Sequence, residues 1–178
     1  MKFTSELLKA TIFPEEKYCF FWHGPLSQWA KGNFYCSSLK EEVNCAEQAM
    51  MLSKAKLFND METYEKIKST QSQKEQKALG RTVKNFDEEL WTAHRIAIVT
   101  MINVDKFRAS KESRELLLLT HPWMLVEASP NDSIWGIGMD VNNPKLLISS
   151  LWGQNLLGKA LVSARSILLR EQVENQHD

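Results

Sequence analysis

The segment Asn44-Cys45-Ala46-Glu47-Gln48-Ala49-Met50-Met51-Leu52-Ser53-Lys54-Ala55-Lys56-Leu57-Phe58 decides the fold. It reads as a helix, with Asn44 as the N-cap and Glu47 three residues on. Ala46, Ala49, Met50, Met51, Leu52, Ala55, Leu57 and Phe58 leave few polar positions, so the helix is expected to be largely buried. Glu47 and Lys54 nevertheless fall on one side of it, two turns or ~10 Å apart. A buried charge without a partner is very costly, so each needs a partner or a wet cleft. Two readings of Glu47 stand side by side. Asn44-x-x-Glu47 is close to a capping box, in which the carboxylate only reaches back to a backbone N–H; otherwise the carboxylate serves a pocket. Lys54 is either a snorkelling surface lysine or a pocket residue.

Outward from this helix, Tyr18-Cys19-Phe20-Phe21-Trp22 resembles a short buried strand ended by His23-Gly24-Pro25. Asn33 to Cys36 is a second strand candidate. Met61 to Ala78 is polar and helix-prone, expected as one or two exposed helices with Gly80 at the end. Asp87 caps a further helix running to about Asp105, with Glu88 and Glu89 favourably placed in its first turn. Lys111 to Leu119 is a shorter helix, stopped before His121-Pro122. Met124 to Ala128 reads as a strand. Leu156 to Arg170 reads as an amphipathic helix with Leu157, Leu161, Ala164 and Leu168 on one face. The sum is mostly helix with a small sheet, an α+β fold.

At 178 residues the chain suits a single domain, 1–178, with no repeat or linker. A core of that size buries roughly 70% of the unfolded surface and needs no disulfide staple. Lys+Arg and Asp+Glu are 22 each. That balance argues against a chain held to nucleic acid by its overall field, though not against a site that handles one nucleotide. Cys19, Cys36 and Cys45 form no CxxC pair and read as reduced thiols of a cytoplasmic protein. No apolar run approaches membrane-spanning length. HExxH, Cys/His clusters and carboxylate-rich calcium loops are missing from the sequence, so no metal is expected.

Two segments put a large aromatic beside glycine: Asn131-Asp132-Ser133-Ile134-Trp135-Gly136-Ile137-Gly138 and Trp152-Gly153-Gln154-Asn155-Leu156-Leu157-Gly158. Glycine lets backbone approach another surface, and Trp offers a flat apolar face with one donor. Such a wall suits a flat polar molecule such as a nucleobase on a sugar; two tight turns capped by core tryptophans is the equal alternative. Trp91 and Arg95, one turn apart, suit an anionic sugar-phosphate under a stacked base, or a structural cation–π pair. The run from Gly153 to Ala160 nearly spells a P-loop. Ala160 stands where Ser or Thr would hold magnesium, and Leu156 and Leu157 are the wrong chemistry for a loop that wraps phosphate.

The ordered set of motifs resembles the NADAR family, also called YbiA-like proteins. It begins at Phe20-Phe21-Trp22 and Gly24-Pro25-Leu26-Ser27-Gln28-Trp29, then Asn44 to Met51 and Lys54 to Asp60. It continues with Leu79-Gly80-Arg81, Phe86-Asp87, Trp91, Lys106-Phe107 and Leu118-Leu119-Thr120. It closes with Glu127-Ala128-Ser129-Pro130, Asp132, Trp135 to Gly138 and Gly153 to Gly158, so that the match spans about 18–170. Arg108-Ala109 departs from the pattern, where many relatives carry a glutamine.

The resemblance implies an N-glycosidase that cuts the bond between ribose C1 and a nitrogen, without cofactor. The implied substrates are phosphorylated ribosylamino-pyrimidine intermediates of riboflavin synthesis or, in other branches, ADP-ribose on a guanine base. Nucleic acid would then be a partner only as a modified substrate; a non-catalytic ADP-ribose or nucleotide-binding module is the alternative. Cleavage builds positive charge on the sugar, which a carboxylate stabilises, and a carboxylate also activates water. Glu47 and Asp132 are the implied catalytic pair, expected in one crevice walled by indoles, although Asn131-Asp132 is also good turn chemistry. Trp91 and Trp135 would flank the base, Lys54 a phosphate or hydroxyl, Asn155 the sugar or base, and Ser27 a phosphate or hydroxyl. Gly136 and Gly138 would let the backbone approach the substrate.

Overall fold

The computed structural model describes residues 8–175. Within them the elements follow as β1 (Ala10–Phe13), β2 (Tyr18–Phe21), β3 (Phe34–Cys36), β4 (Glu41–Val43), α1 (Ala46–Leu57), α2 (Met61–Ser69), α3 (Gln73–Gly80), α4 (Glu88–Arg108), α5 (Lys111–Leu119), β5 (Met124–Glu127) and α6 (Leu156–Glu174). This is the expected α+β fold. Strands β1 and β4 are additions to the sequence reading. At four and three residues they carry too little pattern to register, and pairing with β2 and β3 holds them. The chain forms two compact units, one from the segments before Gln28 and after Ala109, the other from Gln28–Ala109.

In the first unit the sheet order is β1-β2-β5. β1 runs antiparallel to β2, and β5 runs parallel to it with Phe20 opposite Val126. Alternation along each strand then sends Phe20 and Val126 to one face and Cys19 and Leu125 to the other. Phe20, Val126, Ala128, Ile137 and Leu146 form a buried cluster, with Trp152 packed against it. The Trp152 ring meets Phe20 and Tyr18 edge-on at 5.6 and 5.0 Å, and its indole N–H donates to the Leu146 carbonyl at 2.7 Å. Trp152 is therefore a core residue with its donor satisfied. α6 packs on β5, burying Leu157, Leu161, Ala164 and Leu168 as its periodicity requires. Arg165 donates to the carbonyls of Thr120 and Trp123, tying α6 to the turn after α5.

In the second unit α1 is the central helix, packed by α2, α3 and α4. Nine of its twelve residues are buried, as its composition demands. Its cap lies one residue later than expected: the Cys45 thiol accepts the Gln48 N–H at 3.4 Å. Gln48, not Glu47, reaches back to the Asn44 N–H at 2.8 Å. The reason is that Asn44's side chain is engaged elsewhere, donating to Gln71 at 2.9 Å and accepting from Gln76 at 3.1 Å. The polar stretch after α1 forms two helices. Both are less exposed than their composition suggested, with Tyr64 and Ile67 of α2 and Gln76 of α3 buried. Gly80 closes α3 at a point where a Cβ would stand 1.9 Å from the Met51 sulfur, so it sets how closely α3 meets α1. Asp87 caps α4 by accepting the Leu90 N–H at 2.8 Å.

Candidate active site

Glu47 is 3% exposed near the start of α1. Its N–H donates to the Gln28 carbonyl at 3.0 Å. Gln48 takes the reach-back bond to the Asn44 N–H, so the Glu47 carboxylate is not needed for it. The adjacent thiol shows what surrounds it. Burial pushes the Cys45 pKa up, the Glu47 charge adds to that rise, and the Lys106 ammonium opposes it. The charges of Glu47 on α1 and Lys106 on α4 are therefore both felt at one thiol, with opposite sign. Burial pushes the Lys106 pKa down to about 7. An amine in that range holds and releases a proton near neutral pH.

Lys54 lies further along α1. Its ammonium donates to the Gly80 carbonyl at 2.9 Å and sits 4.1 Å from the Phe86 ring centre and 5.8 Å from that of Trp91. Burial holds its pKa down, Arg81 lowers it further, and Glu88 opposes the shift. Lys54 and Trp91 are thus brought together, with Lys54 over the indole. Trp91 is 6% exposed, so most of its ring is core. Arg95 is buried too, its guanidinium 3.8 Å from Glu88.

In the first unit, Asp132 makes the turn its neighbours suggested. Its Oδ1 accepts the N–H groups of Ile134 at 3.0 Å and Trp135 at 2.8 Å. A Cβ on Gly136 would lie 2.8 Å from the Glu127 carbonyl, so this glycine lets the turn press against β5. Gly138 has φ +70, and its N–H closes on the Asp132 carbonyl at 3.0 Å. The two Trp/Gly segments are joined by main chain. The N–H groups of Gly153, Gln154, Asn155, Leu156 and Leu157 donate to the carbonyls of Ile137, Ser133, Gly136, Ile134 and Trp135. Those amides are the ones a P-loop would offer to phosphate, and here carbonyls already take them. Asn155, at φ +51, spends its side chain on β5, accepting from the Glu127 N–H at 3.0 Å and donating to the Leu125 carbonyl at 2.9 Å. Ser27 is buried, with its N–H on the Gly24 carbonyl at 3.1 Å. Trp135 is partly buried. A hollow of about 200 Å³ beside Trp22, His23 and Val141 is lined by none of the expected site residues.

Lys106 is the functional candidate that the motif reading named but did not assign. The signal was present. A charge between Asp105 and Phe107, on a helix rich in Ile102, Val104 and Phe107, breaks the apolar pattern of α4 as Glu47 breaks that of α1.

Comparison with known proteins adds a family. Residues 19–169 match the NADAR domain. N-glycosidase R617 of Acanthamoeba polyphaga mimivirus is 39% identical over 168 residues, covering 84% of this chain and 95% of that protein. The riboflavin biosynthesis protein PYRR of the Arabidopsis thaliana chloroplast is 32% identical over 60% of this chain and 17% of its own length. The solution structure of Escherichia coli YbiA superposes with a TM-score of 0.71 at 25% identity, covering 88% of each chain.

Proposed function

The chain belongs to the NADAR domain family, and from that premise we propose that it is a hydrolase that cuts the N-glycosyl bond between ribose C1 and a base nitrogen. The observation that carries the reading is the buried Glu47 carboxylate, whose place in the reach-back bond to Asn44 is taken by Gln48. As the C1–N bond lengthens, positive charge spreads over C1 and the ring oxygen, and a carboxylate held in low dielectric stabilises that charge. Water adds its oxygen to C1 and passes a proton to Glu47. The bond electrons leave with the base nitrogen, which takes a proton from Lys106. Proton return from Glu47 to Lys106 restores both groups.

Lys54 and Trp91 form a cationic and aromatic corner suited to a phosphate or hydroxyl beside a base. Asp132 is the second proposed carboxylate, with Oδ1 shaping the turn that carries Trp135. Gly136, Gly138 and Asn155 set the backbone of that turn, and Ser27 is a weaker phosphate or hydroxyl contact. The proposed substrate is a phosphorylated ribosylamino-pyrimidine, supported by the PYRR relative and by a net charge of zero, which suits a small molecule better than a polyanion.

The test incubates the protein with a ribosylamino-pyrimidine 5-phosphate and, separately, with DNA carrying ADP-ribosylated guanine, and reads products by mass spectrometry. Free pyrimidine and ribose 5-phosphate are expected. Glu47→Gln should lower the rate by ~10²–10⁴-fold with the fold intact. Full turnover by folded Glu47→Gln removes the mechanism. Release from the DNA alone transfers the activity to the second substrate, and tight binding without product leaves a nucleotide-binding module.

A further inference from the structure

α4 carries an amide with no exposed surface, Asn103. Its Nδ2 donates to the Val99 carbonyl one turn back at 2.8 Å and to Gln28 Oε1 at 3.0 Å. Val99 settles which end of the amide is nitrogen, because a reversed Asn103 would set oxygen against oxygen. Gln28 is settled in turn, with Oε1 toward Asn103. The Gln28 main-chain carbonyl then accepts the Glu47 N–H at 3.0 Å. That N–H belongs to the first turn of α1, which has no acceptor within its own helix. A continuous run of hydrogen bonds therefore joins the α4 backbone, through two side chains, to the residue that carries the carboxylate.

We infer that Asn103 and Gln28 are positioning residues that hold Glu47 for attack by water at the glycosidic carbon; the inference rests on reading Glu47 as the catalytic carboxylate. Two further observations support it. Gln28 Nε2 and Asn103 Oδ1 are buried and unpartnered. Leaving a buried donor and acceptor unmet is costly, while an apolar pair of the same shape is often as stable or more so. Packing by itself does not require an amide pair at these two positions. Asn103 also stands three residues before Lys106, on the same side of α4, so the pair adjoins the proposed proton donor as well.

The test replaces the whole pair by apolar side chains of similar shape, Gln28→Met with Asn103→Leu, in the full chain. A structural pair predicts a folded protein with unchanged turnover. Positioning predicts a folded protein whose kcat falls 10- to 100-fold while KM moves less than threefold. The same pair placed in Glu47→Gln should have no further effect on kcat, because it acts through Glu47. If the double variant does not fold, Gln28→Met by itself is read in the same way. Unchanged kcat in the folded variant, or an equal fall in both backgrounds, overturns the inference. Full turnover by Glu47→Gln itself overturns the reading of Glu47 instead, so the two failures are distinct.

Discussion

Lys106 shows how much one side chain's surroundings matter. Its ordinary pKa is 10.5, and burial brings it down to about 7. Between those values the unfolded chain binds a proton that the folded chain does not, so stability rises with pH across the window. Below about 7 both states are protonated, and the cost of the confined ammonium is fully present. Replacing the group by Lys106→Met should remove this pH dependence. Thermal unfolding of the wild type is expected to shift upward from pH 7 to 10 relative to Lys106→Met; parallel profiles would show an ordinary lysine. If Lys106 is the proton donor proposed above, turnover of Lys106→Met should fall at least tenfold at pH 7. At the same scale, Glu47 illustrates a limit of spacing. Asn-x-x-Glu and Cys-x-x-Gln overlap in one sequence, and the bonds that Asn44 makes to Gln71 and Gln76 favour the second.

Among the elements, β5 and α6 meet closely at Gly158. A Cβ on Gly158 would lie 2.0 Å from the Leu125 carbonyl and 2.6 Å from both ends of the Asn155 amide. Neither neighbour yields easily, because the carbonyl belongs to a paired strand and the amide is bonded to that strand at both ends. Gly158→Ala is therefore expected to destabilise the protein by about 3 kcal/mol, at the upper end of the usual cost of overpacking. Urea unfolding measures it, and a loss under about 0.5 kcal/mol would mean that the joint relaxes freely. The two Trp/Gly segments belong to this joint as well. The amides of 153–157 meet the carbonyls of 133–137, so the second segment secures the first rather than offering amides to a phosphate.

Across the whole molecule, all three cysteines are buried, Cys19 in the first unit and Cys36 and Cys45 in the second. Burial pushes the Cys19 thiol up to about 12, and Cys45 is raised as well. Thiolate is the reactive form, so labelling by a disulfide reagent at pH 8 should be slow in the native protein and complete in denaturant. Rapid labelling of Cys19 in native conditions would place the sheet of the first unit among the easily opened parts. Among the described residues no helix is long and apolar enough to cross a membrane. The family match spans parts of both units, so the ordered motifs read from the sequence are distributed over each of them.

What is local was legible in the residues alone. The apolar composition of α1 required burial, the four-residue spacing of Leu157 and Leu161 oriented α6, Asp87 capped α4, and Asn131-Asp132 announced the turn that Asp132 closes. These depend on neighbours within a turn or two, where spacing is geometry. Long-range packing settled the rest: the cap at Cys45, the main-chain joint between 133–137 and 153–157, the commitment of Asn155 to β5, and the lowered pKa of Lys106. Each arises from groups far apart along the chain competing for one donor, one acceptor or one dry space, and local sequence spacing carries no measure of that competition.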